Sequence, residues 1–227
     1  FGVEEVTSLP MSRAIDDGMN IYKGTPKWIS EKDNIKTVNF AKSICSETAR
    51  LATLAIKITA SGSSRAEWLQ NQIDSIYFKI REWVEYGCAY GTVIIKPSTE
   101  GVDLFTPEKY VITEYKNQSI TGVVFIYQRK EKGKYYTRFE YHHYVDNKEY
   151  TVSNRCFVGD SFNSVSEAID IKLTPWNGLA EDSNIEGMEQ PAYGVFRTPH
   201  ANNIDINSAI GLPVFSDAIV ELEDLDI

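Results

Sequence analysis

Residues 134–144, KYYTRFEYHHY, alternate between two sets of side chains. The first set is apolar or weakly polar and consists of Tyr135, Thr137, Phe139 and Tyr141. The second is largely polar and consists of Tyr136, Arg138, Glu140 and His142. Successive side chains of a β-strand point to opposite faces, so this period of two predicts a strand. We expect its apolar face to lie on a core and its polar face to meet water or a neighbouring molecule.

The segments on either side extend this strand into a sheet. Runs rich in β-branched and aromatic residues predict further strands at 92–96, 102–105, 110–114, 122–128 and 150–155. Turn-forming sequences at 130–133 and 145–148 separate three of the runs, which predicts an antiparallel meander.

Two amphipathic helices are predicted before the sheet. The first covers about 34–58, where small and apolar residues recur in steps of three and four and give a narrow interior face. The second begins at a predicted capping box, Ser64 to Glu67, and ends near Gly87. Its apolar stripe consists of Leu69, Ile73, Ile76, Ile80 and Val84.

The last quarter of the chain has a different pattern. Residues 171–207 contain three prolines and little periodicity, which predicts an irregular arm that is functional or docked on another element. A helix is predicted from Pro213, with apolar residues continuing to Leu225. No stop signal follows, so we expect the beginning of a longer helix with a fraying end. The predicted fold class is α+β, with an α+β domain at 1–170, the arm at 171–212 and the helix start at 213–227.

Composition and motifs argue against several functions. No apolar run approaches the roughly 20 residues of a membrane span, and a net charge of −9 disfavours tight binding to nucleic acid. The three cysteines lack metal-binding or paired spacing, which indicates reduced thiols. No phosphate-binding glycine loop or nucleophile motif occurs, and His142 and His143 point to opposite faces of one strand. We therefore expect neither an enzyme nor a metal or other cofactor.

Several local strings, and their order, resemble the wing region of tailed-bacteriophage portal proteins, especially the group found in phages of Gram-positive bacteria. The strings are VNFAKSICSETARL at 38–51, YGCAYGTVIIK at 86–96, FTPE at 105–108, FRTPHANN at 196–203 and SAIGLP at 208–213. The turn at 196–203 with the segment at 208–213 is the most specific, and the similarity in order covers almost the whole chain.

The resemblance implies a structural subunit of the portal ring, the head-tail connector through which double-stranded DNA is packaged and ejected. It implies about twelve copies in a closed ring, with terminase, capsid or scaffolding proteins and head-completion proteins as partners. DNA contact would be transient, and no membrane is involved. The protein would lie in the virion at the portal vertex, and in the host cytoplasm during assembly. The family would continue past residue 227 into stem, clip and crown.

The resemblance also nominates residues. The family-like turn and stem-entry motif comprises Arg197, Thr198, Pro199, Asn202, Asn203, Gly211 and Pro213. Asp217, Glu221 and Asp224 form an acidic face that would line the tunnel or meet cations of a neighbouring subunit. Two alternatives stay open: a protein-binding adaptor module that forms no ring, and an enzyme with an unrecognised acidic site.

Overall fold

The computed structural model describes residues 1–29, 37–98, 101–145, 149–162, 164 and 167–226. It confirms the α+β class, with helices and two antiparallel sheets. The chain forms two compact units, one from Phe1–Thr7 and Pro107–Gly194, the other from Ser8–Thr106 and Val195–Ile227. The predicted borders at residues 170 and 212 do not coincide with the borders of these units.

The elements follow one another in this order. The helices are α1 (Leu9–Lys23), α2 (Phe40–Thr53), α3 (Ala66–Tyr77), α4 (Ile80–Tyr90) and α5 (Ile219–Asp226). The strands are β1 (Thr92–Ser98), β2 (Gly101–Phe105), β3 (Tyr110–Lys116), β4 (Ser119–Glu131), β5 (Lys134–Val145), β6 (Glu149–Gly159), β7 (Glu167–Ile169), β8 (Asp182–Ile185) and β9 (Gly194–Arg197).

The helical unit is built around α4, which packs against α1 and α2. Ala41, Cys45 and Ala49 form the buried face of α2. Their spacing of four residues places three small side chains on one stripe, so the two helices can approach closely. This confirms the narrow, small-residue face predicted for the first helix. The helix itself is shorter than the predicted 34–58, since it ends at Thr53, and residues 34–36 of that range lie outside the described residues. A three-stranded sheet in the order β2-β1-β9 belongs to the same part of the chain.

Among the described residues, four helices precede the first strand, where the sequence predicts two. α1 was not predicted, although Pro10 lies in its first turn and Gly24 caps its end in the left-handed conformation. The second predicted helix is divided into α3 and α4. The predicted capping box is wrong: Arg65 is the N-cap of α3 without a side-chain cap, because Ser63 instead accepts hydrogen bonds from the amides of Arg65 and Ala66.

The other unit contains the predicted meander. Its sheet has the order β3-β4-β5-β6-β7, and β8 pairs with β6 at the same edge as β7. Between β4 and β5 the chain turns at Lys132 and Gly133, both with positive φ, which suits a two-residue hairpin. The predicted turn at 130–133 is therefore confirmed. Residues 146–148 of the other predicted turn lie outside the described residues.

The polar face of β5 does not meet water, which corrects the expectation from the alternating pattern. Arg138, Glu140 and His142 are all buried. Residues 174–193, in the predicted irregular arm, cover this face: Trp176 lies on the Arg138 guanidinium, and Tyr193 lies edge-on to His142. The prediction that the arm docks on another element is thus confirmed for this part of it.

The C-terminal helix starts later than predicted. Residues 216–218 form a short 3₁₀ turn, and α5 begins at Ile219. Pro213 precedes the helix instead of occupying its first position. None of the helices in the described parts of the chain is long and apolar enough to cross a membrane.

Candidate functional site

Residues from the turn and stem-entry motif meet where α4 passes into β1. Thr198, which directly follows β9, donates its backbone amide to the carbonyl oxygen of Gly91 over 2.9 Å. Its hydroxyl lies 2.6 Å from the carbonyl oxygen of Leu212 and 3.3 Å from that of Gly91. Thr198 is 1% exposed. One buried threonine therefore ties three distant segments together.

Gly211 approaches the same turn from the other side. Its amide donates to the hydroxyl of Thr92 over 2.8 Å. A Cβ at Gly211 would lie 2.5 Å from the carbonyl oxygen of Gly91 and 2.5 Å from the hydroxyl oxygen of Thr198. Neither contact is compatible with a real Cβ, so this close approach requires glycine.

Asn202 closes the loop that joins the turn to Gly211. Its side-chain oxygen accepts hydrogen bonds from the amides of Ile204 and Asp205, at 3.0 and 2.9 Å. Its amide nitrogen donates to the carbonyl of Ile210 at 3.0 Å. Asn202 is buried. Because an asparagine side chain both donates and accepts, one residue can satisfy both ends of the loop.

Pro213 fixes the direction in which the chain leaves this junction. Its ring packs so closely on Gly18 of α1 that a Cβ there would lie 2.7 Å from the Cγ of Pro213. The next amide, of Val214, donates to the carbonyl of Cys88 over 2.9 Å. Phe215 is 2% exposed. The segment entering α5 is thus anchored to α1 and α4.

The other three motif residues differ in their setting. Pro199 and Asn203 are exposed, and Arg197 is half-buried at the end of β9. Hence the structure brings Thr198, Asn202, Gly211 and Pro213 into one junction and leaves Pro199 and Asn203 at the surface. The four buried members carry no ionisable side chain, and the hydroxyl of Thr198 is hydrogen-bonded to backbone carbonyls, so these contacts position the backbone. We call these four residues, with Gly91 and Thr92, the stem-entry junction.

The acidic residues predicted on the last helix lie at the surface. Asp217, Glu221 and Asp224 are exposed, and their spacing of four and three places them on one side of the segment. No ion pair joins them to other residues within the described parts of the chain. These three side chains therefore form an exposed acidic face, and its role in a tunnel or against a neighbouring subunit stays a prediction.

The end of α5 is held, although the sequence predicts that it frays. The carboxylate of Asp226 accepts hydrogen bonds from Nε1 of Trp28 at 3.0 Å and from the amide of Val38 at 2.9 Å. Desolvation of this carboxylate acts to raise its pKa, but the donors together outweigh it and hold the pKa of Asp226 below its ordinary value. A negative charge at this helix end is unfavourable to the helix dipole, and the two donors compensate for it.

A second cluster, which the sequence does not nominate as a site, lies under residues 174–193. Nε2 of His142 lies 2.8 Å from Glu140, and Nδ1 lies 2.7 Å from the Tyr150 hydroxyl. Tyr150 accepts a hydrogen bond from the amide of Ala192 at 2.9 Å. It can therefore donate to Nδ1 of a neutral His142 that carries its proton on Nε2.

Arg138 balances the charge of this buried polar network. Its guanidinium is paired with Glu140 and donates to the side-chain oxygen of Asn154 over 2.8 Å. Asn154 in turn donates to the carbonyl of Ala180 at 2.8 Å. Arg138 also lies on the ring of Tyr127, 4.1 Å from its centroid. The network resembles a catalytic relay in composition, but its members are buried and bind residues 174–193 to the sheet.

The other sequence-level candidates have ordinary surroundings. Cys45, Cys88 and Cys156 are free and buried, as predicted, and burial raises the pKa of the Cys88 thiol to about 11. His200 is exposed. Among the described residues, no group of three or more His, Cys, Asp or Glu side chains is arranged to hold a metal ion.

Comparison with known proteins does not add a family assignment. No protein-family model matches the sequence, and a search of curated proteins gives no significant match.

Proposed function

We propose that this protein is a structural subunit of a bacteriophage portal ring, contributing the wing region and the entry to the stem. In this proposal it is not an enzyme. It lies in the virion at the portal vertex, and in the host cytoplasm during assembly. Its partners are further copies of itself, terminase, capsid or scaffolding proteins and head-completion proteins, with double-stranded DNA passing transiently through the ring.

The observation that carries this proposal is the stem-entry junction. Three of the five sequence strings on which the portal resemblance rests come from two distant parts of the chain, namely 86–96 and the neighbouring strings 196–203 and 208–213. In the structure, Thr198 bonds to the carbonyls of Gly91 and Leu212, and Gly211 bonds to Thr92. Three strings that resemble one family thus pack together in the structure.

The direction of the chain supports the same function. The junction is buried, hydrogen-bonded and uncharged, and the chain continues from it into α5, which has exposed acidic side chains. A subunit that must hold a stem helix at a fixed angle in every copy of a ring requires such an anchor. An acidic surface is also compatible with DNA that passes without binding tightly, because like charges repel.

Native mass spectrometry of the complete gene product tests the proposal. We expect one closed oligomer of about twelve subunits, as cyclic symmetry requires a fixed number of copies. A monomer at all concentrations, or a partner-bound monomer, would instead support the adaptor-module alternative. The resulting mass also distinguishes a closed ring from open chains, which give a broad distribution of masses.

A further inference from the structure

Residues 186–193 follow β8 and have no regular secondary structure. They form no backbone–backbone hydrogen bond with other described residues. The amide of Ala192 donates to the hydroxyl of Tyr150 over 2.9 Å, and the hydroxyl of Tyr193 donates to the carbonyl of Ile120 over 3.1 Å. A few contacts near its end therefore hold this segment on the sheet. We call residues 186–193 the strap.

The attachment of the strap passes through a buried histidine. Nδ1 of His142 lies 2.7 Å from the Tyr150 hydroxyl, and the His142 ring lies edge-on to Tyr193. Tyr150 donates to this nitrogen only while the nitrogen carries no proton, and its oxygen meanwhile accepts from Ala192. One hydroxyl thus connects the protonation state of His142 to the strap.

The charges around His142 are balanced only while its ring is neutral. Glu140, 2.8 Å from Nε2, is paired with Arg138, and all three side chains are buried. From β4 the ring meets the uncharged Phe125. A protonated His142 would leave two buried cations to share one carboxylate, which is unfavourable in the interior. In water an imidazole takes up its proton near pH 6.5, about its ordinary pKa.

The other titratable groups around this contact keep their charge state in the same range. Burial raises the pKa of Tyr150 and of Tyr193, so both phenols stay neutral. Tyr144, whose ring lies 5.1 Å from that of Tyr150, also has its pKa raised by burial. From β3 the charge of Glu114 acts on Tyr193, but Glu114 is exposed and solvent screens it. His142 is the member of this set that changes charge between about pH 7 and pH 5.

We infer that protonation of His142 releases the strap, so that acid opens residues 186–193 on the sheet. The proton comes from solvent and binds Nδ1, which removes the acceptor of the Tyr150 hydroxyl. Opening then lets the charged ring meet water. The inference concerns a single subunit and does not depend on the proposed function.

The preceding part of the covering segment is held differently and supplies an internal control. The side chain of Asn154 donates to the carbonyl of Ala180 over 2.8 Å, and its backbone amide donates to the carbonyl of Glu181. An asparagine side chain does not titrate, so residues 174–181 should stay in place when the strap opens.

Hydrogen exchange followed by mass spectrometry tests the inference in the complete gene product. Exchange is measured from about pH 7.5 to about pH 5 and divided by the intrinsic rate at each pH, which gives protection factors. The open state binds one proton more than the closed state. Protection of the strap should therefore fall by up to about tenfold per pH unit below about pH 6.5, while that of residues 174–181 stays constant.

Two histidine variants assign the response. His142→Gln keeps a neutral polar side chain that does not titrate, and it should abolish the pH dependence of the strap. His143→Gln is the matched control, because His143 is adjacent but points to the opposite face, where it stacks on Tyr141. This variant should respond to pH like the wild type. A strap that responds equally in His142→Gln overturns the inference.

A measurement on the wild type covers the case in which His142→Gln does not fold. Exchange of the imidazole C2 proton reports protonation of each histidine directly, and protonation of His142 should coincide with the loss of protection in the strap. A protonated His142 under a strap that is still protected overturns the inference. So does a strap without pH dependence, or an equal loss of protection across residues 174–181.

Discussion

Gly91 and Gly211 contact each other backbone to backbone, so closely that a Cβ on Gly91 would overlap the carbonyl oxygen of Gly211. Gly91 has φ 74°, in the left-handed region, whereas Gly211 does not have a positive φ. Both glycines lie in the stem-entry junction, which the chain can form only if neither position carries a side chain.

Substitution of either glycine by alanine is expected to destabilise the helical unit. Gly91→Ala combines backbone strain with overlap and should cost roughly 3 kcal/mol or more, and Gly211→Ala should cost slightly less. Gly62→Ala is the control, because Gly62 has φ 87° but no neighbour within 4 Å of a Cβ. It should cost about 1 kcal/mol. Urea unfolding followed by tryptophan fluorescence gives the free energy of unfolding of all three variants. Equal losses in the three would contradict the close contact between Gly91 and Gly211.

The hydroxyl of Thr198 provides a second test of the junction. Thr198→Val keeps the shape of the side chain and removes the donor to Leu212, leaving a buried carbonyl without this partner. We expect a loss of about 1–2 kcal/mol in the free energy of unfolding. Thr198→Ser retains the hydroxyl and should recover most of that loss. A valine variant as stable as the wild type would show that the hydrogen bond contributes nothing.

The end of α5 should depend on pH through Asp226. The folded-state pKa of this carboxyl is below its unfolded value, so its contribution is present above the unfolded pKa and is lost as pH falls through the folded pKa. Asp226→Asn should therefore lower stability at pH 7 by about 1 kcal/mol. Below the folded pKa both proteins carry a neutral side chain, and the difference should vanish. A stability difference between the two proteins that stays constant from pH 7 to acidic pH would exclude the charge of Asp226 as its cause.

The buried polar network should be sensitive to loss of its one carboxylate. Glu140→Gln leaves the guanidinium of Arg138 buried without a counter-charge, which should cost roughly 3 kcal/mol or more. Hydrogen exchange should then accelerate across residues 174–193, which the network binds to the sheet. Glu131→Gln, at the exposed end of β4, is the matched control. An unchanged rate of hydrogen exchange in Glu140→Gln would show that the network does not hold residues 174–193 on the sheet.

The sequence predicts β1 to β6, because alternation and β-branched runs identify which side chains share a face of the sheet. It misses β7, β8 and β9, which have only three or four residues each, and β8 and β9 lie in the arm that was predicted to be irregular. It does not reveal what covers each face. Arg138, Glu140 and His142 suggest a solvent-exposed face, yet Glu140 pairs with both of the others and all three are buried under residues distant in sequence. Similarly, Gly18 weakens the helical pattern of α1 in the sequence. A glycine is needed there because the ring of Pro213 packs directly on it, and this contact is distant in sequence.

The candidate site, too, could be predicted from the sequence only in part. Thr198, Asn202, Gly211 and Pro213 could be nominated because strings resembling portal proteins contain them. Their partner Gly91 could be found in the same way, since it belongs to the string at 86–96. The donors to Asp226 could not, because Trp28 and Val38 lie 198 and 188 residues away from it. No local sequence pattern can indicate a contact between residues that lie so far apart in the chain.

Electron microscopy of the purified complete gene product tests the portal assignment most directly. Class averages of end-on particles should show a closed ring of about twelve subunits with cyclic symmetry and a central channel that admits duplex DNA. Particles that are monomeric, or that form open chains without a channel, would contradict the assignment.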